Sequence, residues 1–224
     1  MGWRDFAIAP QAGEAGMLLR RALLVVFIAA AVVRLWAIGT LPLVVTSDGY
    51  DYIYNGALPF YNGEGFKLGT FRTPGYPLVI ALSFFIFGVA PVGVLVLQHL
   101  MGCATALMVT GIAGRYVRPV WAMIPGLFAA LDPTLLGFEC TSQTETTTIF
   151  LVVLSAFLVL RARPNHLGIA MALGLAMGFS ALVRPTNQVL APFFALGLVL
   201  QPRLRLPRRA TLLTMVVVGF SAVT

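Results

Sequence analysis

Apolar residues come in long runs along this chain, and the polar residues between them fall in short clusters rich in arginine. The run ALLVVFIAAAVV (Ala22 to Val33) sets the style. A membrane-crossing helix needs ~20 mostly apolar residues rising 1.5 Å each. Runs with that character cover about 22–43, 91–113, 119–137, 144–160, 167–182, 188–201 and 210–224, which predicts about seven spans. The segment PGYPLVIALSFFIFG (Pro74 to Gly88) is also apolar, but as a helix it reaches only ~21 Å before Gly88 and Pro91 interrupt it.

Charge parity decides how that segment is read. If it does not cross, Arg20/Arg21, Arg115/Arg118, Arg161/Arg163 and the group Arg203, Arg205, Arg208 and Arg209 share one side, while Asp48, Asp51, Glu64, Asp132 and Glu139 share the other. Basic residues then mark the cytoplasmic side at every short loop, as they do in membrane proteins generally. The pattern therefore predicts a cytoplasmic segment over 1–21, an interfacial helix from Pro74 to Phe87, and one large extracytoplasmic loop over 44–90. Residues 22–224 form the membrane domain. Its last apolar run ends at GFSAVT without a polar tail, which predicts the N-terminal part of a longer protein.

Composition narrows the class. Of 224 residues, 59% are hydrophobic and 10% charged, with a mean hydropathy of +0.91. So few charges cannot cover a soluble globule, and the fold class expected is an all-α polytopic membrane protein. The net charge of +7 is spread among the loops instead of forming one basic patch with interleaved aromatics, so it reads as topology and not as nucleic-acid binding. Cys103 and Cys140 are isolated, and His99 and His166 lie singly without metal-ligand spacing; none is assigned chemistry.

Acidic residues in this setting do suggest chemistry, because a carboxylate in or beside a bilayer is costly. In SDGYDYIYNG (Ser47 to Gly56), Asp48 and Asp51 are spaced i, i+3, and Tyr52 follows Asp48 at i+4, so a helix would place them on one face. The plainer alternative is a solvated helix start. Downstream, GEGFKLGTFRTPGYP supplies turn glycines and the cations Lys67 and Arg72. Such a grouping suits a substrate with a hydroxyl to activate and a phosphate to neutralise.

These stretches together resemble the GT-C class of membrane glycosyltransferases, in the bacterial branch akin to protein O-mannosyltransferases and the aminoarabinose transferases of lipid A. The resemblance rests on D-x-x-D-Y from Asp48, N-G-E-G-F from Asn62, and R-T-P-G-Y-P from Arg72, the last followed by an apolar helix ending in F-G. It continues through D-P-T-L-L from Asp132, the Thr144-Glu145 pair, and the G-x-x-x-G-x-x-x-L-x-R-P pattern from Gly174 to Pro185. It implies a GT-C-like helical bundle in a bacterial inner membrane, with an extracytoplasmic active site. It also implies a polyprenyl-phosphate sugar as donor, a lipid, glycan or protein acceptor, and an acidic residue after the first span that serves as base. Asp48 matches that position, and Asp51 sits where a second acid is expected.

Other polar residues keep alternative readings. Arg34, in the first span, costs ~2.5–3.5 kcal/mol at most on the insertion scale and either anchors at the interface or partners Asp48. Glu145 is either a helix-start carboxylate or part of the site. Arg184 is either a phosphate ligand or a complement to a helix C-terminus. Gly174 and Gly178 suggest close helix packing.

The reaction expected is transfer of a sugar to an acceptor hydroxyl, with inversion: Asp48 takes the proton, while Arg72, Lys67 and Arg184 stabilise the departing phosphate. Asp51 either orients the acceptor or holds a divalent cation; no cofactor is otherwise expected. The rival reading is a transporter or flippase for an anionic lipid or solute, against which stand the lack of an internal repeat and the gathering of polar residues at one face.

Overall fold

The computed structural model describes residues 13–69, 72–161, 167–200 and 206–223. His166, Arg163, Arg203 and Arg205 lie outside them. Helices account for the secondary structure of the described residues, and the one ladder contact among them is an isolated parallel bridge between Val44 and Thr141.

Each apolar run is helical: α1 (Glu14–Thr40), α5 (Pro91–Ala113), α6 (Pro119–Leu131) with α7 (Pro133–Glu139), α8 (Glu145–Arg161), α9 (Leu167–Val183), α10 (Leu190–Val199) and α11 (Leu206–Ser221). Between α1 and α5 lie two one-turn helices, α2 (Ser47–Tyr50) and α3 (Leu58–Tyr61), joined by a π-helix over Asp51–Ala57, and then α4 (Gly75–Phe87). Among the described residues α1 and α5 are each long and apolar enough to cross a membrane alone, and α6 with α7, bent by 48°, is either a broken third span or a re-entrant pair.

That bend has a local cause. Pro133 disfavours a helical conformation at Asp132, which is extended, and it brings no N–H of its own. The Asp132 carboxylate restarts the helix by accepting from the N–H groups of Thr134 at 2.7 Å and Leu135 at 3.2 Å. At the other irregular point, α4 stops at Gly88, whose φ of 76° a side-chain-bearing residue rarely adopts.

Packing follows chain order. α1 lies against α5 and α6, α5 against α8, α8 against α9, and α9 against α11. Small residues set the spacing: Ala30, Ala106 and Ala130 form a buried seam with Val26 between α1, α5 and α6. Gly174 lets α9 approach the backbone of α11 so closely that a Cβ there would fall 3.0 Å from the Cα of Gly219, which is the close packing its small-residue spacing predicts. On the outward side of α1, Leu24, Phe27, Val32, Leu35 and Trp36 are exposed, as expected of a face that meets lipid. The helix α4 is buried along Tyr76, Val79, Ile80 and Phe84 against the π-helix, α5 and α9. It is the element that joins the loop region to the bundle.

Candidate active site

The site is built where four chain segments meet. The first begins with Thr46, whose hydroxyl caps α2 by accepting from the Gly49 N–H at 3.0 Å. Past α2 the helix widens into the π form, an irregularity frequent at functional sites. Asp48 and Tyr52 face one cavity. Asp51 and Asn55, bonded to each other at 3.1 Å, face a second.

The second segment is Arg72-Thr73, directly before α4. Gly75 presses on the backbone of α9, and a Cβ there would overlap the Leu182–Val183 peptide. Thr73 adds a hydrogen bond from its hydroxyl to the Val183 carbonyl at 3.2 Å. These contacts bring Arg72 to the third segment, Val183 to Pro185. There Pro185 disfavours helix at the preceding residue, and Arg184 is extended. The fourth segment, Gln143 to Glu145, starts α8.

Charges alternate around the resulting cavity of ≈ 230 Å³. Arg72 Nη2 donates to Asp48 Oδ1 at 2.6 Å, and its Nε lies 3.4 Å from Asp51 Oδ2. Its guanidinium also covers the Tyr52 ring, 5.4 Å from the centroid. The bond to Asp48 holds the Arg72 guanidinium even further above its ordinary high value, with desolvation opposing. Across the cavity, Arg184 Nη1 stands 3.5 Å from Glu145 Oε1. The other oxygen, Glu145 Oε2, is buried without a hydrogen-bond partner among the described residues, so it can accept from a ligand. The second cavity, ≈ 440 Å³, shares Arg72 as a wall with Asp51, Asn55 and Gly69.

The structure thus brings together Asp48, Tyr52, Arg72, Glu145 and Arg184, and places Asp51 on the far side of Arg72. Lys67 lines neither cavity: its side chain is 59% exposed and forms an ion pair with Glu64. Arg34 does not partner Asp48. It is 2% exposed, buried within the bundle, and its partner is Glu139 at 2.6 Å. Glu139, assigned by charge parity to an outer loop, is likewise buried at the end of α7. Gln143 and Thr73 join the first cavity without having been singled out in the sequence; their one signal is adjacency to Thr144-Glu145 and Arg72. Among the described residues no group of His, Cys, Asp and Glu side chains converges as a metal site would.

Apolar helices bearing a lined, charged cavity at their ends define an all-α polytopic membrane protein with the makings of a group-transfer site. Residues 72–224 match the family described as dolichyl-phosphate-mannose-protein mannosyltransferase, and the chain belongs to that family, a membrane glycosyltransferase family of the GT-C class. Comparison with curated proteins and with solved structures finds no match.

Proposed function

We propose that the protein transfers a sugar from a polyprenyl-phosphate donor to an acceptor hydroxyl at the extracytoplasmic membrane face, with inversion at the anomeric carbon. The observation that carries this is the pairing of two carboxylates with two arginines around one cavity, Asp48 with Arg72 and Glu145 with Arg184. A donor phosphate in the cavity competes with the carboxylates for the arginines. Arg72, with a planar fork suited to two phosphate oxygens, then turns from Asp48 to the donor. Asp48, so released, accepts the acceptor's hydroxyl proton as that oxygen attacks the anomeric carbon and the bond from that carbon to the phosphate oxygen breaks. The electron pair leaves on the lipid phosphate, where Arg72 and Arg184 stabilise it. Glu145 Oε2 is placed to accept from a hydroxyl of the donor sugar, and Asp51 with Asn55 offers polar groups to the acceptor from the second cavity.

The test is release of lipid phosphate from a radiolabelled polyprenyl-phosphate sugar by the full-length protein in membranes that supply acceptor. Release by wild type and its loss in Asp48→Asn support the reading. Movement of intact donor across the bilayer without cleavage would replace it with a transporter.

A further inference from the structure

Outside the cavities, the bundle buries a second set of ionisable groups that the proposed reaction does not use. Arg34 on α1, His99 on α5 and Glu139 at the end of α7 are each 2% exposed. Arg34 Nη2 donates to Glu139 Oε1 at 2.6 Å, and His99 Nδ1 lies 2.5 Å from Glu139 Oε2. The other ring nitrogen of His99, Nε2, faces Cys140 Sγ at 4.0 Å. Arg34 Nη1 also donates to the Ala130 carbonyl at 3.0 Å, across to the end of α6. The space beside these groups is only ≈ 10 Å³, about one water, so the cluster holds no substrate.

Stability alone does not account for such a cluster, since a buried ion pair is commonly matched or exceeded by apolar side chains of similar volume. What directional bonds to a carboxylate add is a fixed place for the backbone that carries it, and that place is what the neighbouring bonds transmit. The Gln98 amide donates to the carbonyls of Glu139 at 2.8 Å and Thr141 at 3.0 Å, while its oxygen accepts from Tyr76 at 2.8 Å. The segment so held then pairs with the chain leading to Asp48: Val44 N–H donates to Cys140 O at 2.8 Å, Ser142 N–H to Val44 O at 3.0 Å, and Thr46 N–H to Ser142 Oγ at 3.3 Å. Gly49, next to Asp48, rests on Ser142 so tightly that a Cβ would overlap its side chain. In the other direction the same segment runs into Gln143, Thr144 and Glu145, in the opposite wall of the cavity.

We infer that Arg34, His99 and Glu139 are positioning residues: they clamp residues 139–142, and through that segment set the distance between the wall carrying Asp48 and the wall carrying Glu145. The inference rests on the transfer reaction proposed above for what the two walls do. Gly102 belongs to the clamp as well, because a Cβ at that position would overlap the Glu139 carboxylate and come within 2.7 Å of Arg34 Nη2.

Spin labels at cysteines introduced for Val45 and Gln143, with Cys103 and Cys140 replaced by alanine, read this distance in the full chain without relying on turnover. Glu139→Ala should broaden the distance distribution. Glu139→Gln keeps an oxygen for Arg34 and should keep the distribution narrow. The apolar pair Arg34→Met with Glu139→Leu fills the volume and leaves neither charge of the ion pair buried alone, so it guards against a simple loss of structure in Glu139→Ala. Without the labels, the apolar pair should show kcat lowered on the order of 10²-fold, the scale of an ångström-sized misplacement, with donor KM near wild type. Glu139→Gln should restore kcat. A narrow distribution in the apolar pair overturns the inference, as does wild-type kcat in that pair or failure of Glu139→Gln to restore it. Should the wild-type protein transfer no sugar, the reaction assigned above falls, and the distance distributions still decide whether the cluster positions the segment.

Discussion

Arg72 Nη2 meets Asp48 Oδ1 at 2.6 Å, so the cation nearest the helix α4 and the acid that follows α1 form one unit before any ligand arrives. A residue of each charge is then on hand for the two events of glycosyl transfer, loss of a proton and departure of a phosphate.

If Asp48 takes the acceptor proton, Asp48→Asn retains its shape and loses its basicity. Transfer should fall by ~10²- to 10⁴-fold, the usual worth of a positioned base. Donor binding, followed in parallel by equilibrium retention of labelled lipid, should persist. Wild-type transfer by Asp48→Asn would return the Asp48 and Asp51 pair to a solvated helix start.

Arg72 and Lys67 separate a site cation from a surface one. Arg72→Ala should lower kcat strongly, and Arg72→Lys should recover only part, because an ammonium replaces a two-pronged fork. Lys67→Ala should leave transfer near wild type, since that side chain pairs with Glu64 away from both cavities. Turnover measured with saturating donor ranks the three variants.

Tight backbone contact at Gly49 predicts a stability effect. Gly49→Ala drives a Cβ into Ser142 and should cost about 1–3 kcal/mol, the range of overpacked interiors. Gly137→Ala, in α7 with nothing within 4 Å of the added carbon, should be neutral or gain about 0.5–1 kcal/mol from its helical position. Unfolding midpoints in detergent decide between them.

Topology can be checked by labelling. With Cys103 and Cys140 replaced, single cysteines at Gly63 and Arg118 should react with an impermeant thiol reagent from opposite sides of the membrane. Reaction of both from one side would defeat the charge-parity argument.

Much of the helical architecture was legible in the sequence, because an apolar run and a helix are tied by a short-range rule: in a bilayer every backbone group must find its partner within the segment. The run over 119–137, by contrast, was expected to be continuous, and it breaks at Asp132-Pro133, where the proline disfavours helix at the residue before it. The meeting of Asp48, Arg72, Glu145 and Arg184 was legible less directly, through charge parity and ordered motifs that put four segments on one face. Pairing was not. Arg34 and Glu139 are 105 residues apart, and nothing local distinguishes a glutamate buried at the end of α7 from one in an outer loop. Lys67 and Arg72 likewise look equivalent as cations in a glycine-rich loop; the contacts of Thr73 and Gly75 with α9 draw Arg72 inward, while Lys67 pairs with Glu64 outside the cavities.

The alternation of charge around the first cavity has a consequence for the end of the catalytic cycle. Asp48 and Glu145 balance Arg72 and Arg184, so the walls are formally neutral. In the proposed reaction the lipid phosphate gains negative charge as the sugar leaves, while Asp48 loses its own charge by taking the proton. The cavity with its contents therefore has the same total charge before and after transfer. The proposed reaction then has product and proton leave as a coupled pair: deprotonation of Asp48 would restore its claim on Arg72 and displace the spent lipid phosphate, so the carboxylate assigned to start the chemistry would also clear the site.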